Sequence, residues 1–117
     1  MDTKDTATTG GSVTDPTGSA ALRREVMTGP DSHVDVVTVP PGGEIGREIH
    51  RGADETIVVV TGTGEAELDG QRTPLRAGSL LFIPDGTPHN ILNRGHRPLR
   101  LYAVHAATSA ATSADTS

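Results

Sequence analysis

The sequence predicts an all-β domain, a sandwich or barrel of short strands, and three observations carry that prediction. Apolar residues come in short runs that Gly, Pro, Asp or Asn interrupt roughly every 8–12 residues, the rhythm of strands joined by tight turns. The core has to be built from Val, Ile and Leu, because the chain has one Phe, one Tyr and no Trp, and β-branched residues pack well on a pleated surface. No segment keeps a helical apolar period beyond two turns.

The strands are expected at 24–28, 33–39, 44–50, 55–61, 65–69, 71–75, 79–83, 89–93 and 99–105. Between them stand Gly29-Pro30-Asp31, Pro40-Pro41-Gly42-Gly43, Asp69-Gly70 and Asp85-Gly86, all turn formers. Asp69-Gly70 fits a two-residue hairpin, whose central positions both need positive φ. Residues 1–20 and 107–117 are Thr-, Ser- and Ala-rich tracts without enough apolar surface to offset the entropy of ordering. They are expected as disordered tails around one domain at 21–106, since 117 residues suffice for one core and not two.

Composition excludes several classes of function. There is no Cys, which removes disulfides, thiolate nucleophiles, zinc fingers and iron–sulfur clusters. The net charge is −5 and the arginines are scattered, so nucleic acid is not an expected partner. No apolar run is long enough for a membrane span or an export signal, and the expected location is the cytoplasm.

The chemistry concentrates in Glu48-Ile49-His50-Arg51-Gly52-Ala53-Asp54-Glu55. In a strand, residues two apart share a face, so Glu48 and His50 are expected on one side. A loop at 51–54 would return Glu55 opposite His50, and His89 follows the turn Pro84-Asp85-Gly86-Thr87-Pro88. Two imidazoles and two carboxylates suit a first-row divalent ion, Fe, Mn, Ni, Co or Zn, better than Ca or Mg. On the last expected strand, alternation turns His105 inward as a candidate general base, unless the strand end frays into solvent. Arg47 and Arg51 flank the ligands, either as anchors for an acidic substrate or as ordinary exposed arginines.

The spacing around these residues resembles that of the cupin family. Gly42 is followed after five residues by Glu48-Ile49-His50, then four residues, Glu55, six residues and Gly62. This is similar to the first cupin motif, with Glu48 where the family pattern has its first His. Gly78, Pro84-Asp85-Gly86, His89 and Asn93 meet every spacing of the second motif. The resemblance covers 42–93. It implies a double-stranded β-helix, or jelly-roll barrel, with one divalent metal ion in its mouth held at the positions of Glu48, His50, Glu55 and His89. Glu48 would raise the ligand charge to −2, making the ion a weaker Lewis acid and easing oxidation of Fe or Mn.

Four protein ligands on a six-coordinate ion leave two adjacent positions for a chelating substrate. A metal-dependent enzyme acting on a small oxygen-bearing metabolite is therefore expected, of isomerase, cyclase, lyase or dioxygenase type, with Glu55 and His105 as candidate proton carriers. With only Phe82 and Tyr102 to offer rings, the pocket suits a small polar substrate. The alternative is a non-catalytic barrel that binds a small molecule or carbohydrate. A homodimer is expected, with 24–28 as the pairing strand.

Overall fold

The computed structural model describes residues 20–108. Among them the chain forms eight strands and no helix: β1 (Leu22–Thr28), β2 (Ser32–Val39), β3 (Ala53–Thr61), β4 (Thr63–Leu68), β5 (Gln71–Arg76), β6 (Leu80–Ile83), β7 (His89–Leu92) and β8 (Leu99–Ala107). Five make one sheet in the order β1-β2-β8-β3-β6, and three make the other in the order β5-β4-β7. Every pairing is antiparallel. This is a jelly-roll barrel.

Period-2 alternation explains which side chains meet between the sheets. The large sheet contributes Val37 and Val39 from β2, Ile57 and Val59 from β3, Leu99, Leu101 and Ala103 from β8, and Ile83 from β6. Ala66, Leu75 and Ile91 close the core from the small sheet. The Asp69-Gly70 hairpin forms as expected, with φ of 49° and 87° at the two positions, joining β4 and β5 with Leu68 opposite Gln71.

Most of the expected strands are present with ends moved by one or two residues, but that at 44–50 is not one. Only Glu44 and Glu48 form isolated bridges, to Leu92 and His89. Between them Gly46 has φ of 106°, which breaks the extended backbone. Asn90 repairs the gap: its Oδ1 accepts from the Gly46 amide at 2.9 Å, and its Nδ2 donates to Glu44 Oε1. Nor does 51–54 make a hairpin returning Glu55 beside His50. Strand β3 starts at Ala53, and Glu55 stands between Ile83 and His105 on its neighbours.

The two tail expectations fall almost wholly outside the described residues. At their inner limits, Ala20 bridges Glu44, and β8 runs on to Ala107, whose amide donates to the Asp31 carbonyl. No helix among the described residues is long and apolar enough to cross a membrane.

Asn93, just past β7, ties the far end of the barrel. It is 1 % exposed; its Nδ2 donates to the carbonyls of Val39 and Arg97, and its Oδ1 accepts from the Gly95 amide. Asn93→Ala removes all three bonds and strands a buried carbonyl, so it is expected to cost about 2–4 kcal/mol. Urea titration is the check, as a lower midpoint with an unchanged m-value.

Candidate metal centre

Along each of the three central strands the inward face changes from apolar to polar, one row further in on β2 than on β3 and β8. Val37, Ile57 and Ala103 lie on the apolar side; Asp35, Glu55 and His105, two residues away, lie on the polar side and are also buried. The register puts His33, His105 and Glu55 in one row across the sheet, with Glu55 directly beside His105, and Asp35 in the next row beside Ala103 and Ile57. One half of the barrel is thus a core and the other half a site.

Glu48 and His89 complete that site from the opposite wall. Their backbones exchange two hydrogen bonds, Glu48 N to His89 O at 2.8 Å and His89 N to Glu48 O at 2.9 Å. Residues paired this way project to the same face, so both side chains enter the barrel. His50 lies outside any strand and is held through its backbone, its carbonyl accepting from the Gly86 amide. The adjacent Gly52 amide donates to the Asp85 carboxylate, which also accepts from the Thr108 hydroxyl. The Thr108 and Gly52 bonds hold the Asp85 carboxyl below its usual range.

The four expected ligands converge. His50 Nε2 lies 3.1 Å from Glu48 Oε1 and 3.6 Å from Glu55 Oε1. His89 Nε2 lies 3.1 Å from Glu55 Oε1 and 3.7 Å from Glu48 Oε1. Neighbouring donors around one first-row ion stand about 3 Å apart when each bond is about 2.1 Å, and the donors gather three at a time, Glu48, His50 and His89 in one group and His50, Glu55 and His105 in another, each within 4.8 Å. Glu55 Oε1 and His89 Nε2 are buried and make no aligned hydrogen bond despite their 3.1 Å approach. His89 Nδ1 faces the Thr87 carbonyl at 2.8 Å, which fixes the ring with Nε2 toward the other three residues. The residues present therefore fit a metal ion.

Charge in the ion-free site is arranged accordingly. Burial opposes ionisation of Glu55, but His105 and His89 more than reverse it and hold the carboxyl well below its usual range. Burial likewise opposes the charged form of His89, which Glu48 and Glu55 overcome, pushing its pKa up to about 10. Glu48 is lowered as well, with desolvation outweighed by His89, Arg23 and His50.

His105 is buried rather than frayed, with Nε2 3.3 Å from Glu55 Oε2 and neither ring nitrogen hydrogen-bonded. Its ring stacks on His33 with centroids 4.5 Å apart. Arg47 and Arg51 are exposed. The cation beside the ligands is instead Arg23 of β1, 3.5 Å from Glu48 Oε2 and 3.6 Å from Asp35 Oδ2. Sequence reasoning missed Arg23, His33 and Asp35. Alternation in His33-x-Asp35-x-Val37-x-Val39 carried the signal, since it puts two polar residues on the face that Val37 and Val39 assign to the core. Phe82 and Tyr102 are not near the pocket; both lie on the outer face of the large sheet, 56 % and 43 % exposed.

The sequence profile of the cupin domain matches residues 35–105, more than half of the chain. This chain belongs to the cupin family. A solved Klebsiella pneumoniae protein, described as an uncharacterized conserved protein with a double-stranded β-helix domain, superposes with a TM-score of 0.73 at 30 % identity, covering 82 % of this cupin and 84 % of that chain. The Bacillus subtilis protein YrkC, itself uncharacterized, is 30 % identical over 73 % of this chain and 49 % of its own length. An oxalate-binding protein of Thermotoga maritima is 33 % identical over 56 % of this chain and 54 % of its own. This cupin thus spans about half the length of those two curated relatives.

Proposed function

We propose that this cupin is a metal-dependent enzyme acting on a small oxygen-bearing anion at a single divalent ion. The observation that carries the reading is the pair of buried donor atoms without hydrogen-bond partners, Glu55 Oε1 and His89 Nε2, facing Glu48 and His50. Glu48, His50, Glu55 and His89 would hold the ion, which when bound supplies Lewis acidity toward a substrate oxygen.

The rest of the work falls to side chains around the ligands. Glu55 is shared: Oε1 faces His50 and His89, and Oε2 faces His105. His105 Nε2 is thereby placed to accept a proton and return it, with Glu55 setting its orientation. Burial of Glu55, His89 and His105 keeps bulk water from the inner end, while part-exposed Glu48 and His50 line the entrance. Arg23 bridges Glu48 and Asp35 only at 3.5–3.6 Å, so guanidinium donors remain for an incoming carboxylate. The oxalate-binding relative supports a ligand of that size and charge.

Arg23→Gln is expected to weaken binding of a small dicarboxylate about tenfold, roughly 1.4 kcal/mol, without changing metal content. Calorimetric titration of the metal-loaded protein with oxalate measures it; an unchanged affinity removes Arg23 from recognition.

The name of that relative also favours a second reading, a barrel that binds such an acid without converting it. The deciding experiment incubates metal-loaded protein with a panel of small hydroxy-, keto- and dicarboxylic acids, following binding, product and oxygen uptake together. Turnover that is lost in His105→Asn while binding survives supports the enzyme. Tight binding without product assigns the binding module, and failure of every acid to bind ends both readings.

A further inference from the structure

A second concavity opens at the end of the barrel away from the metal centre. Thr61 and Arg100 occupy the ends of β3 and β8 opposite to those of Glu55 and His105, about 17–20 Å away at the rise of an extended strand. The chain crosses from the large sheet to the small one at Gly62, whose φ of 92° suits glycine. A Cβ there would stand 2.5 Å from the Pro98 carbonyl oxygen, so this corner is pressed against the turn joining β7 and β8. Asn93 fastens that turn by donating to the Arg97 carbonyl. The register then sets Arg100 beside Thr61 on one sheet and Arg76 beside Thr63 on the other. With His96 and Arg97 from the turn they line a cleft of about 980 Å³, the size of a small-molecule site.

Charge distinguishes this cleft. None of its lining residues is acidic, although the chain carries a net charge of −5. The neighbouring Arg72 and Arg94 are neutralised, Arg72 by Glu67 at 2.9 Å and Glu65 at 3.5 Å and Arg94 by Glu65 at 3.0 Å. Arg76, Arg97 and Arg100 form no ion pair among the described residues. Like charges facing one cleft repel each other and focus a positive potential on it, which an anion relieves. We propose that the cleft binds the diphosphate group of a small metabolite, such as a nucleoside diphosphate. Guanidinium forks pair with phosphate oxygens bidentately, and the Thr61 and Thr63 hydroxyls are further donors. A phosphate monoester carries about −1.5 to −2 at neutral pH, so three guanidinium groups match two linked phosphoryl groups better than one. The remaining volume accommodates the organic part. A polymeric phosphate backbone is disfavoured by the acidic net charge of the chain. This inference is independent of the metal and of the proposed reaction.

Calorimetric titration of the full chain, as purified, with adenosine diphosphate, inorganic pyrophosphate and glucose 1-phosphate tests it. Micromolar binding of both diphosphates is expected, with glucose 1-phosphate at least about tenfold weaker. Arg97→Gln with Arg100→Gln is expected to weaken adenosine diphosphate at least about 100-fold and to leave Tm unchanged, since both side chains are exposed. Arg76→Gln, from the other sheet, is expected to lose about tenfold. The His50→Ala, His89→Ala variant should bind adenosine diphosphate as the unaltered chain does, which separates the cleft from chelation of an ion in the metal centre. Should that variant not fold, chelator-treated protein provides the same control. No binding of either diphosphate at millimolar concentration overturns the inference. So does binding that survives the arginine changes, that is lost with the two histidines or with chelator, or that is equally tight for glucose 1-phosphate. A duplex oligonucleotide that binds more tightly than adenosine diphosphate would overturn it in favour of nucleic acid.

Discussion

Purified from metal-supplemented culture, the protein is expected to carry about one equivalent of Fe, Mn, Ni, Co or Zn, and the His50→Ala, His89→Ala double variant none. The expectation rests on the way the four donors share one small volume. Removing both imidazoles leaves Glu48 and Glu55, two oxygen donors against the hydration of the ion, and first-row ions prefer nitrogen in a mixed set. A loss of at least about 100-fold in affinity follows, since disturbing an outer partner of a ligand already costs 10–100-fold. Elemental mass spectrometry gives the stoichiometry, and circular dichroism shows whether the variant is folded. Retention of a full equivalent would point to His33, Asp35 and His105, a cluster whose donor atoms lie within 4.8 Å of one another. His33→Ala, which touches none of the four expected ligands, would then lose the ion instead.

The second large effect is on stability. An ion that binds the folded chain alone, at about 1,000 times its dissociation constant, adds about 4 kcal/mol, which in a domain this size raises Tm by roughly 15–30 °C. The pH dependence of this gain has a definite sign. In the ion-free protein the folded-state pKa of His89 is raised to about 10. Its contribution to stability is complete below the unfolded imidazole value of about 6.5 and is lost as pH rises toward 10. Glu55 is lowered, so its contribution is present above the unfolded carboxyl value of about 4.3 and is lost toward acid. Ion-free stability from these two groups therefore falls between neutral pH and 10, while a bound ion no longer competes with a proton on His89. The stabilisation by metal is expected to grow as pH rises over that interval. Urea titrations with and without chelator at two pH values measure it, and a gain that shrinks with pH would show that protons on these groups are not what the ion displaces.

Much of this molecule was legible before its structure. The barrel followed from short Val-, Ile- and Leu-rich runs and from turn residues whose backbone demands are local, and Asp69-Gly70 is the clearest instance. The ligand candidates followed from motif spacing, yet the local geometry assumed for two of them was wrong. Glu48 and His50 share a side without sharing a strand, because Gly46 turns the backbone and Asn90 replaces the missing ladder contacts.

By itself, then, the sequence determined the period-2 architecture, the absence of any thiolate site and the four residues that converge, all consequences of neighbours along the chain or of spacing within a motif. Tertiary structure alone decided that His105 is buried against Glu55, that Arg23 rather than Arg47 or Arg51 stands beside the ligands, and that Phe82 and Tyr102 face outward. These depend on which strands become neighbours. β8 is inserted between β2 and β3, which follow one another in the chain, so Glu55 and His105, fifty residues apart, meet only once that long-range pairing has formed. The entropy of closing such a loop is set against packing across the whole barrel, and no local pattern of residues encodes its outcome.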